Sequence, residues 1–526
     1  MFPTVNDQQV AHIQLTSDKA KTKDETEEAR ATCSSVMLRR NAFLASLSVV
    51  LFGAGFTLLF LWQKILDMIL SSQLVLGPDS QLYGLWHKTP VPLDLDLYLW
   101  NWTNPEDIYN SSAKFRFQQV GPYRYKETKE KVNITWHNEN GTVSFRHLKR
   151  FYFDEEGSAG RLDDNITSIN PIAISVTHQA KYWGFVAKRG LSMVLNNAVS
   201  ELHVTKKASE ILFDGYEDFF LNVAQSMPFL AGSSMPPFKK FAWFYERNGS
   251  SSFEGIFNME TGVGNTIGKL QRWNYWTRTP YFPGECGNVD GSAGELFPPK
   301  QKRDGIRFFS TDLCRNVKLD YEQDINVQGV TVYKYSAGRS MLDNGTYYPE
   351  NSCFCNGECV PYGIMNISSC RYGSPAFVSL PHFYGADPVV LEKIEGVKPQ
   401  QDKHEFFIAL EPDTGLPLRV SARLQLNLLV EPISYIGLLQ DAPKLFFPVL
   451  WFEQNVSMPD NLIFLVKVLL NLPYIFLSLG TFFITLSLVC VILIVKKSLG
   501  IVVCGKQSEC KKVLSKEEIP LKMNAK

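Results

Sequence analysis

Two long apolar runs, one near each end of the chain, dominate the pattern of hydrophobic and polar positions. The first covers residues 41–62 and the second residues 472–495, and neither contains a charged side chain. A helix of about 22 residues is about 33 Å long, enough to cross the apolar core of a bilayer. The first run begins too late for a signal peptide, and a buried helix of a soluble domain seldom stays apolar this long. The pattern therefore predicts two transmembrane helices.

Cationic residues flank both runs on their outer sides. Arg39 and Arg40 precede the first run, and Lys496 and Lys497 follow the second. Because such flanks stay on the cytoplasmic side, both tails are predicted to be cytoplasmic. The expected domains are a cytoplasmic tail, a helix, an ectodomain, a second helix and a second tail: 1–40, 41–62, 63–471, 472–495 and 496–526.

Alternation of apolar and polar residues is frequent between the two runs. In residues 422–430, leucines at every second position are expected to face one way, and Arg423, Gln425 and Asn427 the other. This period of two is typical of β-strands. Three more segments alternate similarly: residues 96–102, 114–120 and 330–336.

The period changes to a helical one in residues 190–213. The apolar stripe at helical spacing consists of Leu191, Val194, Leu195, Ala198 and Leu202. The ectodomain is therefore predicted to be α+β, largely antiparallel β with an inserted helical cluster.

Nine N-x-[ST] motifs lie between the apolar runs and none lies in either tail. Glycans at these positions would mark exposed surface on the lumenal or extracellular side. The predicted sites are Asn101, Asn110, Asn133, Asn140, Asn165, Asn248, Asn344, Asn366 and Asn455.

The ten cysteines divide in the same way. Six of them, in the oxidising compartment, are expected to form three disulfides, with 15 possible connectivities; a zinc site is the alternative that a reducing compartment would favour. Cys490 and three cysteines near the spans are either palmitoylated or free thiols. The six are Cys286, Cys314, Cys353, Cys355, Cys359 and Cys370, and the three are Cys33, Cys504 and Cys510.

Composition and motifs argue against catalysis and against nucleic-acid binding. The chain has 53 basic and 53 acidic residues, so no net positive charge attracts a nucleic acid. Residues 261–270 are one residue short of a phosphate-binding loop, and no nucleophile elbow or H-E-x-x-H pair occurs. We expect no enzyme activity, no catalytic residue, no metal and no cofactor.

Seven sequence blocks resemble the class B scavenger receptor family, in its order and spacing. That family includes the fatty-acid translocase, the high-density-lipoprotein receptor, a lysosomal integral membrane protein and several insect proteins, and we expect an invertebrate member. The blocks are LYLWNWTNPEDI (97–108), GPYRYKE (121–127), FDGYEDFFL (213–221), FPGECGNVDGSAGELFPP (282–299), CFCNGECVPYGIMNISSC (353–370), SPAFVSLPHFYGADP (374–388) and LEPDTGLPLRVSARLQLNLLV (410–430).

The resemblance implies a fold and a disulfide pattern. The fold is an irregular antiparallel β-barrel with a helical apex, and an apolar tunnel runs through it toward the bilayer. The implied disulfides are Cys286–Cys353, Cys314–Cys370 and Cys355–Cys359, with a local Cys353–Cys355 bridge as the alternative.

The resemblance also places ligand capture at the helical apex, here near residues 176–210. Cations mixed with large apolar groups would suit anionic head groups or lipoproteins. The alternative is that Trp183 and Phe185 pack inside the helical bundle and that the cations are merely solvated. The candidate residues are Lys181, Tyr182, Trp183, Phe185, Lys188 and Arg189.

Two functions fit this resemblance. The first is a plasma-membrane scavenger receptor that binds lipids, lipoproteins or dead-cell surfaces and passes fatty acid, sterol or carotenoid inward. The alternative is a lysosomal membrane protein that acts as a trafficking receptor for a lumenal enzyme. Residues 517–521 imitate a lysosomal dileucine signal, but Lys522 replaces its second aliphatic residue, which favours the plasma membrane. Small residues of the first span, Gly53 and Gly55 among them, suggest a possible homo-oligomer.

Overall fold

The structure, a computed structural model, describes residues 35–73, 75–91, 93–110, 112–198, 201–226, 238–264 and 266–503. Most of both predicted tails lies outside these residues, including Cys33, Cys504, Cys510 and the signal-like residues 517–522. The chain divides into two compact units. Among the described residues, one unit consists of 35–69 with 467–503, and the other lies within 70–466.

The first unit contains two helices that are long and apolar enough to span a membrane. One is Ser35–Ile65, in which Thr57–Leu61 forms a π-helical turn, and helical structure continues over Trp62–Gln73. The other runs from Asp460 to Val503. Only 11% and 17% of their most apolar windows are buried, unlike the core helix of a soluble domain. Helical structure therefore extends beyond the apolar runs at both ends.

Small residues allow these two helices to pack closely against each other. A Cβ atom on Gly55 would lie 2.9 Å from the Gly480 carbonyl oxygen. The Ser48 and Ser487 hydroxyl oxygens are 2.9 Å apart. Gly55 is one of the small residues that the sequence suggested for contacts between subunits. It instead packs against the second helix of the same chain.

The second unit is built on one large, nearly closed sheet. Its strands follow the order β7-β6-β3-β2-β1-β16-β15-β14-β10-β9-β8, with antiparallel neighbours throughout, and β11, β12 and β13 pair beside this path. Ser292 bridges both Lys269, next to β7, and Phe308 of β8, so the two ends of the sheet meet in an irregular barrel. β4 and β5 form a separate antiparallel pair. The strands are β1 (Leu93–Trp102), β2 (Phe115–His137), β3 (Thr142–Phe153), β4 (Asn165–Ile169), β5 (His203–Lys207), β6 (Phe257–Glu260), β7 (Leu270–Trp273), β8 (Ile306–Ser310), β9 (Arg315–Val327), β10 (Val330–Ser336), β11 (Met365–Asn366), β12 (Ala376–Ser379), β13 (Ile394–Glu395), β14 (Phe407–Leu410), β15 (Pro417–Val430) and β16 (Leu445–Ser457).

Short helices connect the strands of this unit, and the longest of them follow β4. We label the α-helices in chain order within the unit. They are α1 (Gln81–His87), α2 (Pro171–Gln179), α3 (Phe185–Ala198), α4 (Phe219–Ser226), α5 (Arg339–Leu342), α6 (Gln401–His404) and α7 (Gly437–Gln440). Shorter 3₁₀ or π segments are Pro105–Tyr109, Ala180–Tyr182, Glu210–Asp214, Gly284–Gly287, Pro349–Cys355, Ser368–Cys370, Pro381–Phe383 and Pro388–Leu391.

The four alternating segments lie in β1, β2, β10 and β15, as predicted, and the α+β barrel is confirmed. The helical stripe in residues 190–213 was too long, because α3 ends at Ala198 and Leu202 lies outside it. Residues 203–207 instead form β5, which pairs with β4 over five residues. Pairing with a strand distant in sequence overrode the local helical pattern.

The structure contains the three disulfides that the resemblance implies: Cys286–Cys353, Cys314–Cys370 and Cys355–Cys359. Eight of the nine predicted glycosylation sites are exposed or half-buried. Asn366 is the exception, because it is buried and its Nδ2 donates a hydrogen bond to the Cys355 carbonyl. We therefore expect glycans at the other eight sites and none at Asn366.

Candidate ligand-binding site

Residues 181–189, which we call the aromatic–cationic segment, expose large rings to solvent. The 3₁₀ turn Ala180–Tyr182 leads into α3, and the side chains of Tyr182, Trp183 and Phe185 are 84%, 49% and 57% exposed. Val186 follows at 80%. Trp183 and Phe185 therefore do not pack inside the helical cluster, which was the alternative to a ligand-binding role.

The three cations of this segment have different surroundings. Lys181 donates to Glu431 Oε1 at 2.7 Å, so an internal ion pair holds its ammonium group. The Arg189 guanidinium lies over the Tyr435 ring, 5.6 Å from its centre. Lys188 has no carboxylate partner among the described residues. Lys188 and Arg189 are thus the cations that this surface can offer to a ligand.

Glu431, at the end of β15, anchors the start of the segment. His178 Nδ1 lies 3.5 Å from its Oε1, and His178 and Lys181 together lower the pKa of the Glu431 carboxyl to about 2, although burial opposes this. The anchor is therefore ionised at any physiological pH.

A cavity of about 670 Å³ lies within the second unit. This volume is in the range of sites that enclose a small molecule or a lipid chain. Much of its wall is apolar and comes from barrel strands and from the helices after β4. Side chains that make up this apolar wall include Phe151, Ile172, Phe220, Leu424, Leu450 and Phe452.

Helix α2 connects the cavity to the aromatic–cationic segment. Ile172, Ser175, Val176 and Gln179 all line the cavity, and their spacing places them on one face of this helix. Asn170 caps the helix through its side-chain oxygen, and Lys181 follows two residues after the helix ends. The exposed segment therefore begins within one turn of a residue that touches the cavity.

Part of the cavity wall carries ionised side chains, which sequence reasoning did not single out. Lys149 Nζ lies 2.6 Å from Glu254 Oε1 and 3.6 Å from Glu127 Oε1. Burial lowers the pKa of Lys149, but these two carboxylates raise it overall. His147 Nδ1 lies 2.8 Å from Glu254 Oε2, and burial lowers the pKa of this imidazole to about 4.

Two arginines extend this wall around one carboxylate. Arg247 forms an ion pair with Asp312 Oδ1, and Arg371 Nη2 lies 3.7 Å from the same oxygen. Arg371 Nη2 also donates to the Asp312 backbone oxygen at 2.7 Å. We call Glu127, His147, Lys149, Arg247, Glu254, Asp312 and Arg371 the ion-pair cluster.

The strand pattern explains why this cluster was missed. Glu127 and Lys129 lie two residues apart on β2, and His147 and Lys149 lie two apart on β3. Charged residues at this spacing ordinarily predict a solvent-facing side of a sheet. Here β2 and β3 pair, and segments from distant parts of the chain cover that face. No local signal in the sequence distinguishes the two situations.

Comparison with known proteins agrees with this architecture. The sequence model of the CD36 family matches residues 44–497. Protein peste of Drosophila melanogaster is 40% identical over 436 residues, which cover 81% of this chain and 78% of that protein.

Two mammalian relatives are more distant. Mouse scavenger receptor class B member 1 is 30% identical over 461 residues, covering 85% of this chain and 88% of its own length. Mouse lysosome membrane protein 2 is 31% identical over 454 residues, covering 83% and 92%. With a family match over most of its length, a nearly closed barrel and two candidate membrane helices, the chain belongs to the CD36 family of class B scavenger receptors.

Proposed function

We propose that this chain is a plasma-membrane receptor that gathers lipid-bearing particles on its aromatic–cationic segment and takes hydrophobic cargo into its ectodomain cavity. Cargo would be a fatty acid, a sterol or a carotenoid, and the partner would be a lipoprotein, a dead-cell surface or another anionic lipid surface. Membership of the CD36 family supports the general part of this proposal, which is a lipid-related receptor role.

One observation supports the specific part of the proposal, namely capture on the aromatic–cationic segment followed by uptake into the cavity. Helix α2 lines the cavity with one face and leads directly into the exposed rings and cations of the segment. A particle held by Lys188 and Arg189 would be bound on α3, the helix that follows α2 in the chain. Such a short path suits a protein that both captures a lipid surface and extracts molecules from it.

The energetics favour an enclosed route for the cargo. Removing one methylene from water is worth about 0.8 kcal/mol, so a sixteen-carbon chain gains about 12 kcal/mol. Release of such a lipid into water is correspondingly slow. A cavity with an apolar wall lowers that barrier without ATP, and the lipid's own gradient sets the direction of flow.

The test of capture reverses the two available cations. Cells expressing Lys188→Glu/Arg189→Glu are expected to bind phosphatidylserine-containing vesicles at least about tenfold more weakly, since each cation near such a surface contributes about 1 kcal/mol. Surface biotinylation measures the amount of each receptor. The matched control is Arg307→Glu/Lys318→Glu, a neighbouring pair of exposed cations on β8 and β9. Undiminished binding by the first variant, or equal loss in the control, would contradict capture by this segment.

A lysosomal role is the second candidate, favoured by the 31% identity to lysosome membrane protein 2. In that case the chain would act as a trafficking receptor for a lumenal enzyme. Grafting residues 496–526 onto a neutral surface reporter separates the two locations. We expect the reporter to stay at the plasma membrane, and steady accumulation in lysosomes would favour the second candidate.

A further inference from the structure

The loop of residues 431–436, between β15 and α7, lies alongside the aromatic–cationic segment. It begins at the carboxylate that holds the start of the segment. The Tyr435 ring packs edge-on against the Phe185 ring, with 5.0 Å between their centres. Directly after the loop, the Gly437 backbone N–H donates to Ser192 Oγ at 2.9 Å. Two stretches of chain that are distant in sequence therefore form one continuous surface.

A tight turn within this loop presents the Tyr435 ring at the surface. The Ile436 backbone N–H donates to the Ile433 carbonyl oxygen at 3.3 Å, and both isoleucines are buried. Between them, Tyr435 has a φ of 71°, in the left-handed region where glycine and asparagine are favoured. Tyr435 is nonetheless 44% exposed. A large exposed ring at a position that suits a smaller residue points to a function of the ring.

The charged group that the Tyr435 ring contacts is the Arg189 guanidinium. This group lies 5.6 Å from the centre of the Tyr435 ring and 5.8 Å from the centre of the Phe185 ring. Both distances are within the range of cation–π attraction. No carboxylate forms an ion pair with Arg189 in the part of the chain that the structure describes. The two rings therefore restrict this side chain while its charge stays unpaired.

We propose that Tyr435 is a positioning residue of the capture site, which together with Phe185 holds the Arg189 guanidinium ready for the phosphate and carboxylate groups of an anionic lipid surface. This inference rests on the proposed function, because it assumes that the segment captures such a surface. The planar guanidinium matches the oxygens of both groups. A free arginine side chain loses rotamer entropy when it binds, and one that two rings already restrict loses less. Tyr435 therefore strengthens binding only while Arg189 is present.

A double-mutant cycle separates this role from a direct contact between the Tyr435 ring and lipid. Phosphatidylserine-containing vesicles are titrated onto cells that express each full chain, and binding is normalised to surface-biotinylated receptor. Arg189→Gln is expected to raise the half-saturating vesicle concentration about fivefold, and Tyr435→Asn about threefold. The two changes together are expected to weaken binding no more than Arg189→Gln alone, because Tyr435 acts through the arginine. Losses that multiply to about fifteenfold would overturn the proposal.

Further variants test whether the aromatic ring is responsible. Tyr435→Phe keeps the ring and should retain most of the binding. Tyr435→Asn removes the ring but suits the left-handed backbone, so its melting temperature should be unchanged. Tyr152→Asn, at a 55% exposed tyrosine on β3, is the matched control and should bind normally. A loss in Tyr435→Phe or in the control as large as in Tyr435→Asn would contradict the role of the ring.

The possible results separate this inference from the proposed function. Normal vesicle binding by Lys188→Glu/Arg189→Glu contradicts capture by the segment, and with it the proposed function. Reduced binding by that variant with normal binding by Tyr435→Asn overturns the role of Tyr435 alone and leaves capture intact. A loss in Tyr435→Asn that disappears in the Arg189→Gln background supports both. If Tyr435→Asn does not reach the surface, Tyr435→Leu provides a second ring-free variant for the same cycle.

Discussion

Two regions of this molecule combine cations with aromatic rings, and they differ in their access to water. In the aromatic–cationic segment, Arg189 lies over the Tyr435 ring on an exposed surface. In the ion-pair cluster, Arg247 lies over the Phe253 ring and is held by Asp312 beside the cavity. The contacts are similar in kind, but the first cation is free to meet a ligand in water and the second has an internal partner.

The difference shows how burial determines the role of a charge. An exposed cation contributes little to folding, because water and salt screen it. A buried ion requires a partner, and removal of that partner destabilises the fold strongly. The segment should therefore tolerate charge reversal and lose binding, whereas most of the ion-pair cluster should not tolerate it at all.

The largest effect is expected from Glu254→Gln. This change leaves Lys149 without its 2.6 Å partner and with Glu127 at 3.6 Å, so the free energy of unfolding should fall by about 3–5 kcal/mol. Thermal unfolding of the purified full chain measures the loss, and reduced arrival at the cell surface should accompany it. Glu285→Gln, which removes an exposed partner of Arg278, is the control and should cost under about 0.5 kcal/mol. Equal stability of the two variants would contradict the structural role of the cluster.

A smaller effect is expected from pH, through His147. Burial lowers its pKa to about 4 in the folded state, against about 6.5 in the unfolded chain. The unfolded chain therefore binds the proton first, and stability present above pH 6.5 is lost as the pH falls toward 4. The slope is about 1.4 kcal/mol per pH unit for this histidine. His382 and His404, whose pKa values burial lowers to about 3 and about 4, act in the same direction.

The contribution of His147 is isolated by His147→Gln, which cannot titrate. Unfolding free energies of wild type and variant at several pH values between 7 and 5 should converge toward low pH, with the shallower slope in the variant. Parallel curves would show that His147 does not resist protonation in the folded chain.

The smallest effect on stability is expected from Lys188→Glu/Arg189→Glu. Neither residue has a carboxylate partner among the described residues, so the free energy of unfolding should change by less than about 0.5 kcal/mol. The same melting assay measures it. A loss comparable to that of Glu254→Gln would remove the distinction between the two regions.

Much of the architecture was accessible from the sequence. Uncharged runs of sufficient length predicted two membrane helices, and alternation predicted strands that the structure places in β1, β2, β10 and β15. The family resemblance implied the three disulfides. These features depend on local patterns or on motifs that the chain retains.

Features that depend on pairing between distant parts of the chain could not be predicted from the sequence. Leu202 continued a helical stripe, yet β5 forms next to it because β4 is available as a partner. On β15, Gln425 and Asn427 are polar at alternate positions but fully buried, because Trp100 and Ser379 supply their hydrogen-bond partners. Glu127 of β2 and Lys149 of β3 line a cavity for the same reason: other segments cover a face whose sequence is typical of solvent exposure.

The central claim is that lipid captured at the surface passes into the cavity, and one measurement tests it directly. Val176→Trp/Leu426→Trp fills the cavity from two sides without changing the aromatic–cationic segment, and Leu85→Trp/Val263→Trp adds the same bulk at exposed positions. Cells expressing each chain are compared for vesicle binding and for uptake of a labelled fatty acid, a cholesteryl ester and a carotenoid, normalised to surface protein. We predict normal vesicle binding and a severalfold loss of uptake in the cavity variant alone. Uptake equal to wild type with the cavity filled would contradict the account.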